Sequence, residues 1–201
     1  MGARHIMSII KPAIIIGNGP SRSDIDLHKL VGKAPLYGCN ALYRDFDKLD
    51  YLVAIDNGMI NELHKERVNV GNLIVPPEDE RWESADYSPQ RRRNNAGMIA
   101  MDYAIDHGNN LLYLLGFDFV LSGEDSVDNV YKDSKNYGPE THAREEDNYY
   151  RLKYFEWFAG HHLEVSIIFV VPDDKIETCK SIKSENVRAM ATTDFLNKLE
   201  D

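Results

Sequence analysis

Only two cysteines, Cys39 and Cys179, occur in 201 residues. That is too few for a disulfide framework, and no C-x-x-C spacing offers a zinc site. Cys39 closes an apolar run and reads as a buried free thiol, which points to a reducing, cytoplasmic setting. No apolar run approaches the roughly 20 residues of a membrane helix; the longest are Ala13–Gly17, Leu111–Gly116 and Val165–Val171. Positive charge is scarce as well, with 23 Lys and Arg against 33 Asp and Glu and a net charge of −10. A chain this acidic gains little from counterion release, so neither nucleic acid nor an anionic membrane is expected as a partner. Repeats and low-complexity segments are also missing.

What is present is ordinary for a globular chain, 43% hydrophobic and 28% charged, over a length that suits one domain with one core. The opening MGARHIM (1–7) reads as an expression remnant, leaving 8–201 as a single domain. Ala13-Ile-Ile-Ile16 is β-branched and apolar without alternation, the signature of a strand covered on both faces. Further strands are expected at Ala34–Gly38, Tyr51–Ile55, Leu73–Val75, Leu111–Leu115 and Val165–Val171. Helices are expected after Ser21–Asp24, at Met59–Lys65, at Ala96–Asp106 with Gly108 as its stop, from about Arg144 to Phe158, and near Thr193–Lys198. Alternating strands and helices call for a Rossmann-like α/β domain with a mostly parallel sheet flanked by helices. Two polar stretches, 76–94 and 120–141, read as lid-like loops.

Ligands of such folds gather beyond the carboxyl ends of the strands. Those ends carry Gly17–Ser21, Cys39-Asn40, Asp56-Asn57 and Gly116–Phe119. In Gly17-Asn18-Gly19-Pro20-Ser21 the glycines permit close backbone approach, and a helix start attracts phosphate. Arg22 and Pro20 depart from the dinucleotide fingerprint G-x-G-x-x-G, and the loop is no Walker motif. Asn40, Asp56 and Asn57 are suited to hydrogen-bonding a base, a ribose or a sugar. Asn95, Ala96 and Gly97 open the Ala96–Asp106 helix and offer a second anion-favouring terminus. Asp118, Tyr131, Tyr137 and His142 are the polar candidates beside the second loop, with His142 as a general base and tyrosine as a hydrogen-bond donor to phosphate. Neither His161-His162 nor Asp125, Asp128 and Asp133 has the spacing of a metal site. Arg91–Arg93 is a basic run able to close over a phosphate.

The series Gly17-Asn-Gly-Pro-Ser21, Asp24-Ile-Asp26, Gly38-Cys-Asn40-Ala-Leu-Tyr43, Ala96-Gly97 and Gly116-Phe-Asp-Phe119 resembles bacterial sialyltransferases of the Campylobacter lipooligosaccharide type. It resembles more loosely some uncharacterised proteins and archaeal pterin diphosphokinase-like proteins. The resemblance runs from about Ile14 to Pro172. It implies a CMP-sugar held by Asn18, Gly19, Asn40 and Asp56 or Asn57, with His142 as base and Tyr131 steadying the leaving phosphate. It requires no cofactor; only the pterin alternative implies Mg²⁺. Two positions depart from the family: Val120 stands where it has a tyrosine, and Asn95-Ala96-Gly97 replaces its Thr-Ser-Gly. A nucleotide- or phosphate-binding module without catalysis is the other reading these departures leave open.

Overall fold

A computed structural model describes residues 9–81, 95–121, 128–144, 147–177, 179, 182 and 184–200. Seven strands form one sheet: β1 (Pro12–Ile16), β2 (Leu36–Cys39), β3 (Tyr51–Val53), β4 (Asn72–Ile74), β5 (Leu111–Leu115), β6 (Ser166–Val171) and β7 (Val187–Ala191). Their order is β4-β3-β2-β1-β5-β6-β7, and every pairing is parallel. The helices are α1 (Asn57–Glu66), α2 (Glu78–Arg81), α3 (Ala96–Asp106), α4 (Asp147–His161) and α5 (Thr192–Glu200). The protein is a single Rossmann-like α/β domain. None of the described helices is long and apolar enough to cross a membrane.

The period of a strand divides β1 between two cores. Ala13 and Ile15 join α3 and α4 on one face, while Ile14 and Ile16 join Leu30, Met59, Leu63 and Phe195 on the other. All four are fully buried, which is why the run carries no polar alternation. The winding of the sheet reverses between β1 and β5: β2, β3 and β4 build outward from one side of β1, and β6 and β7 continue from β5 on the other. A ligand crevice is therefore expected at the carboxyl ends of the strands beside this switch point. α3 crosses behind it with Ala96–Met101 and Ala104 buried, and Gly108 at φ +85 ends it in the left-handed region.

Two expectations change. The segment after β1 is not an α-helix but two short 3-10 turns, Pro20–Arg22 and Leu27–Leu30. Asp26 interrupts any longer helix, because its carboxylate accepts from the His28 amide at 3.0 Å and starts a new turn. β7 was not expected. Val187-Arg-Ala-Met-Ala191 lies at the sheet edge, half-buried along most of its length, so it has no apolar run to announce it.

Candidate functional site

The crevice at the carboxyl ends of the strands is a cleft of about 770 Å³, within the range of small-molecule sites. Its walls come from the loops after β1, β2, β3 and β5, from the start of α3 and from the segment 128–143. Gly17, Asn18, Gly19, Asn40, Asp56, Asn57, Asn95, Ala96, Gly97 and Asp118 all line it. Ser21, Tyr131 and His142 are not among the lining residues.

The glycine loop is tied to the end of β5 and the loop that follows it. The Gly17 amide donates to Leu115 O at 2.8 Å and the Gly19 amide to Gly116 O at 2.9 Å. The Ser21 amide donates to Asp118 Oδ2 at 2.9 Å, and the Ser21 hydroxyl donates to Asp118 Oδ1. A carboxylate of the chain itself thus occupies the position at this loop where an external phosphate was expected. Burial raises the Asp118 carboxyl above its ordinary value, against the opposing pull of the Ser21 bonds and Arg22. Arg22, at the place of the last fingerprint glycine, turns under the loop, and its Nε donates to Gly17 O at 2.8 Å.

These contacts explain the glycines. A Cβ on Gly19 would lie 2.4 Å from the Asp118 carboxylate and 2.6 Å from Gly116 O. Gly19→Ala is therefore expected to destabilise the protein by about 2–3 kcal/mol through overpacking against backbone. Gly160→Ala, in α4 where a new Cβ meets nothing within 4 Å, should instead be neutral or gain up to about 1 kcal/mol from helix propensity. Urea unfolding of the two variants measures the difference. Equal midpoints would show that the β1 and β5 loops do not interlock as described.

Asn40 and Asn18 clasp the neighbouring strand ends. Asn40 is left-handed at φ 46, a backbone state that costs a non-glycine residue energy and collects at functional sites. Its Oδ1 accepts from the Ile55 amide at 3.2 Å, and its Nδ2 donates to Asp56 Oδ2 at 2.7 Å. Burial raises the Asp56 carboxyl, opposed by the Asn40 bond and by the charge of Arg81. Asn18 Nδ2 donates to Cys39 O at 3.0 Å; its buried Oδ1 has no partner among the described residues. The Cys39 thiol is buried and pushed up to about 12, so it is no nucleophile at neutral pH. At α3, Asn95 Oδ1 accepts from the Gly97 and Met98 amides at 2.9 and 3.2 Å. This capping takes up two of the donors expected to face a phosphate.

Tyr131 and His142 are engaged elsewhere. Tyr131 is buried; its hydroxyl donates to Asp45 Oδ2 at 2.7 Å and accepts from Arg22 Nη2 at 3.2 Å. Burial first, then the Asp45 carboxylate, hold that hydroxyl protonated well above its ordinary range. Its one proton is already committed. His142 Nε2 lies 2.8 Å from Asp133 Oδ1, while its neighbours Thr141 and Ala143 line the cleft. Tyr137 does line it. The Val130 amide binds Asn18 O at 2.8 Å, and Arg44 and Glu62 grip residues 134–136. The described part of the second loop is thereby anchored to the body. Residues 82–94 of the first loop, with Arg91–Arg93 and Asn94, and residues 122–127 of the second lie outside the described residues, as does 1–7.

Sequence reasoning missed Arg81 and Arg151, which both line the cleft. Arg81 follows Pro76-Pro77 after β4, so the same attention to strand ends would have reached it. Arg151 sits in the second turn of an aromatic-rich helix, without a motif to mark it.

The fold and the site together define a doubly wound Rossmann-like domain with a ligand-sized cleft at its switch point. No family model matches the chain, and no curated protein matches it. Among solved structures it is similar to the alpha-2,3-sialyltransferase from Campylobacter jejuni in apo form, with 17% identity and a TM-score of 0.48 over 84% of this chain and 77% of that one.

Proposed function

We propose that the protein binds a nucleotide sugar of the CMP type in the switch-point cleft and transfers the sugar to an acceptor hydroxyl, in the manner of a sialyltransferase. The observation that carries the ligand is the cleft itself. It has the volume for a nucleotide sugar, lies where doubly wound folds bind ligands, and presents Asn18, Asn40, Asp56 and Asn57 together at its wall. In the transfer the acceptor oxygen attacks the anomeric carbon, the bond from that carbon to the phosphate oxygen breaks, and CMP leaves. The acceptor proton passes to His142, which must first exchange Asp133 for the acceptor. The proposed ligand is a small molecule, with neither nucleic acid nor membrane as a partner, and the reaction takes place in the cytoplasm.

One observation favours a second reading, binding without transfer: both Tyr131 and His142 are bonded to carboxylates outside the cleft lining. Diphosphoryl transfer to a pterin would call for Mg²⁺. Among the described residues no group of three or more His, Cys, Asp or Glu side chains is placed to hold a metal ion.

The test is thermal unfolding with CMP, CDP, UMP, UDP, GDP or AMP, with and without Mg²⁺. A ligand at 100 times its Kd stabilises the native state by about 2.7 kcal/mol, roughly a 5–10 °C rise for a chain of this size. Selective stabilisation by CMP, lost in Asn18→Ala, supports the reading. CMP-sugar hydrolysis abolished in His142→Ala separates transfer from binding alone. A flat Tm with all six nucleotides would overturn it.

A further inference from the structure

We propose that Arg81 recognises the anionic group of the ligand, a phosphate or carboxylate oxyanion, at the β3 side of the cleft. The inference rests on the nucleotide-sugar reading for its ligand but has its own basis in the distribution of donors. The places where an anion was expected are satisfied by the chain: the Gly17 and Gly19 amides by carbonyls, the Ser21 amide by Asp118, and the Gly97 and Met98 amides by Asn95. Asp118 adds negative charge beside the first loop, which further discourages an anion there.

Positive charge enters the lining, among the described residues, through Arg81 and Arg151. Arg151 Nη1 donates to Asn148 Oδ1 at 3.3 Å. Arg81 is differently placed. Its Nη1 donates to Ile55 O at 3.2 Å and to Asn57 Oδ1 at 3.0 Å, which fixes the guanidinium plane against the end of β3. Among the described residues its Nε is buried with no partner, and no carboxylate forms an ion pair with it. Asp56 is turned to Asn40 instead. A guanidinium held at one corner, with no ion-pair partner among the described residues and its fork incomplete, is preorganised for a planar oxyanion. The remaining donors match a phosphate of the nucleotide or a carboxylate of an acidic sugar equally well.

Titration calorimetry at fixed ionic strength tests this with cytidine, CMP and N-acetylneuraminic acid on the wild type, Arg81→Gln and Arg81→Lys. The expected result is at least a tenfold loss of affinity in Arg81→Gln for the anion-bearing probe, with cytidine unchanged and Arg81→Lys in between. A loss with CMP assigns the phosphate; a loss with N-acetylneuraminic acid assigns the carboxylate. Unchanged affinity for both, or an equal loss with cytidine, overturns the role of Arg81 while leaving the nucleotide-sugar reading intact. Should none of the three bind the wild type, that reading falls, and inorganic pyrophosphate decides the inference. Pyrophosphate bound by the wild type and lost in Arg81→Gln keeps it; retained binding, or none to the wild type, overturns it.

Discussion

Phe155→Ala is expected to lower stability by about 3–5 kcal/mol, the range for truncating a buried aromatic. Phe155 is fully buried in α4. Its ring packs edge-on against Phe169 of β6 with centroids 4.9 Å apart and meets Phe119 at 6.0 Å. Phe169 in turn contacts Phe119 at 6.0 Å and Phe117 at 6.4 Å. Such pairs add to the area they bury, and dense packing gives a cavity little means to collapse. The effect reaches the site because Phe117 and Phe119 line the cleft, and Phe117 is the wall against which Gly97 brings α3. A loss of that size corresponds to roughly 6–20 °C in Tm for a domain of this length. Phe155→Leu, which retains most of the volume, should lose less than half as much. If the alanine variant melts within 2 °C of the wild type, the aromatic cluster is not the core of this face.

The fold was legible because β1, β5 and β6 are buried on both faces and therefore show unbroken apolar runs. The strand ends at the cleft were legible for the same reason: the runs of β1, β2, β3 and β5 stop at glycine, asparagine or aspartate. Eleven residues named from those ends line one cleft, which is the topological rule at work. What the sequence hid was where each polar group spends its hydrogen bonds. Gly17-Asn-Gly looks like a phosphate loop because its composition allows one, yet Asp118, 97 positions later than Ser21, takes the Ser21 donors. Tyr131 has the chemistry to meet a phosphate, but Arg22 and Asp45 claim it from 109 and 86 residues away. These are long-range choices that no local pattern records. Arg81 is hidden for a simpler reason: the polar stretch after β4 shows no helical period, although α2 occupies Glu78–Arg81.

Glu62 carries the other large expected effect. It is 5% exposed and accepts from four side chains: Tyr43, Arg44 at 2.7 and 3.0 Å, Asn136 at 2.7 Å and Lys135 at 3.1 Å. Tyr43 and Arg44 belong to the 3-10 turn after β2, whereas Lys135 and Asn136 belong to the segment that walls the cleft. Glu62, on α1, therefore joins three parts of the chain that meet at the cleft's rim. Every partner is a donor, so only an acceptor satisfies them. Glu62→Ala takes the carboxylate from Arg44, whose Nε then has no acceptor, and from the Tyr43 hydroxyl, at an expected cost of about 3–5 kcal/mol. Glu62→Gln should recover little, because its NH₂ must face one of those donors. Burial alone would raise the Glu62 carboxyl, but the bonds from Tyr43, Arg44 and Lys135 outweigh it and hold the group below its usual 4.5. A depressed folded-state value means that the stabilisation is complete above the unfolded value and is lost as pH falls through the folded one. Urea unfolding should thus separate wild type from Glu62→Gln by a constant margin at neutral pH, and the margin should narrow only below about pH 4.5. A margin that persisted unchanged to pH 2 would show that the carboxylate's charge does not hold the segment, and that shape alone does.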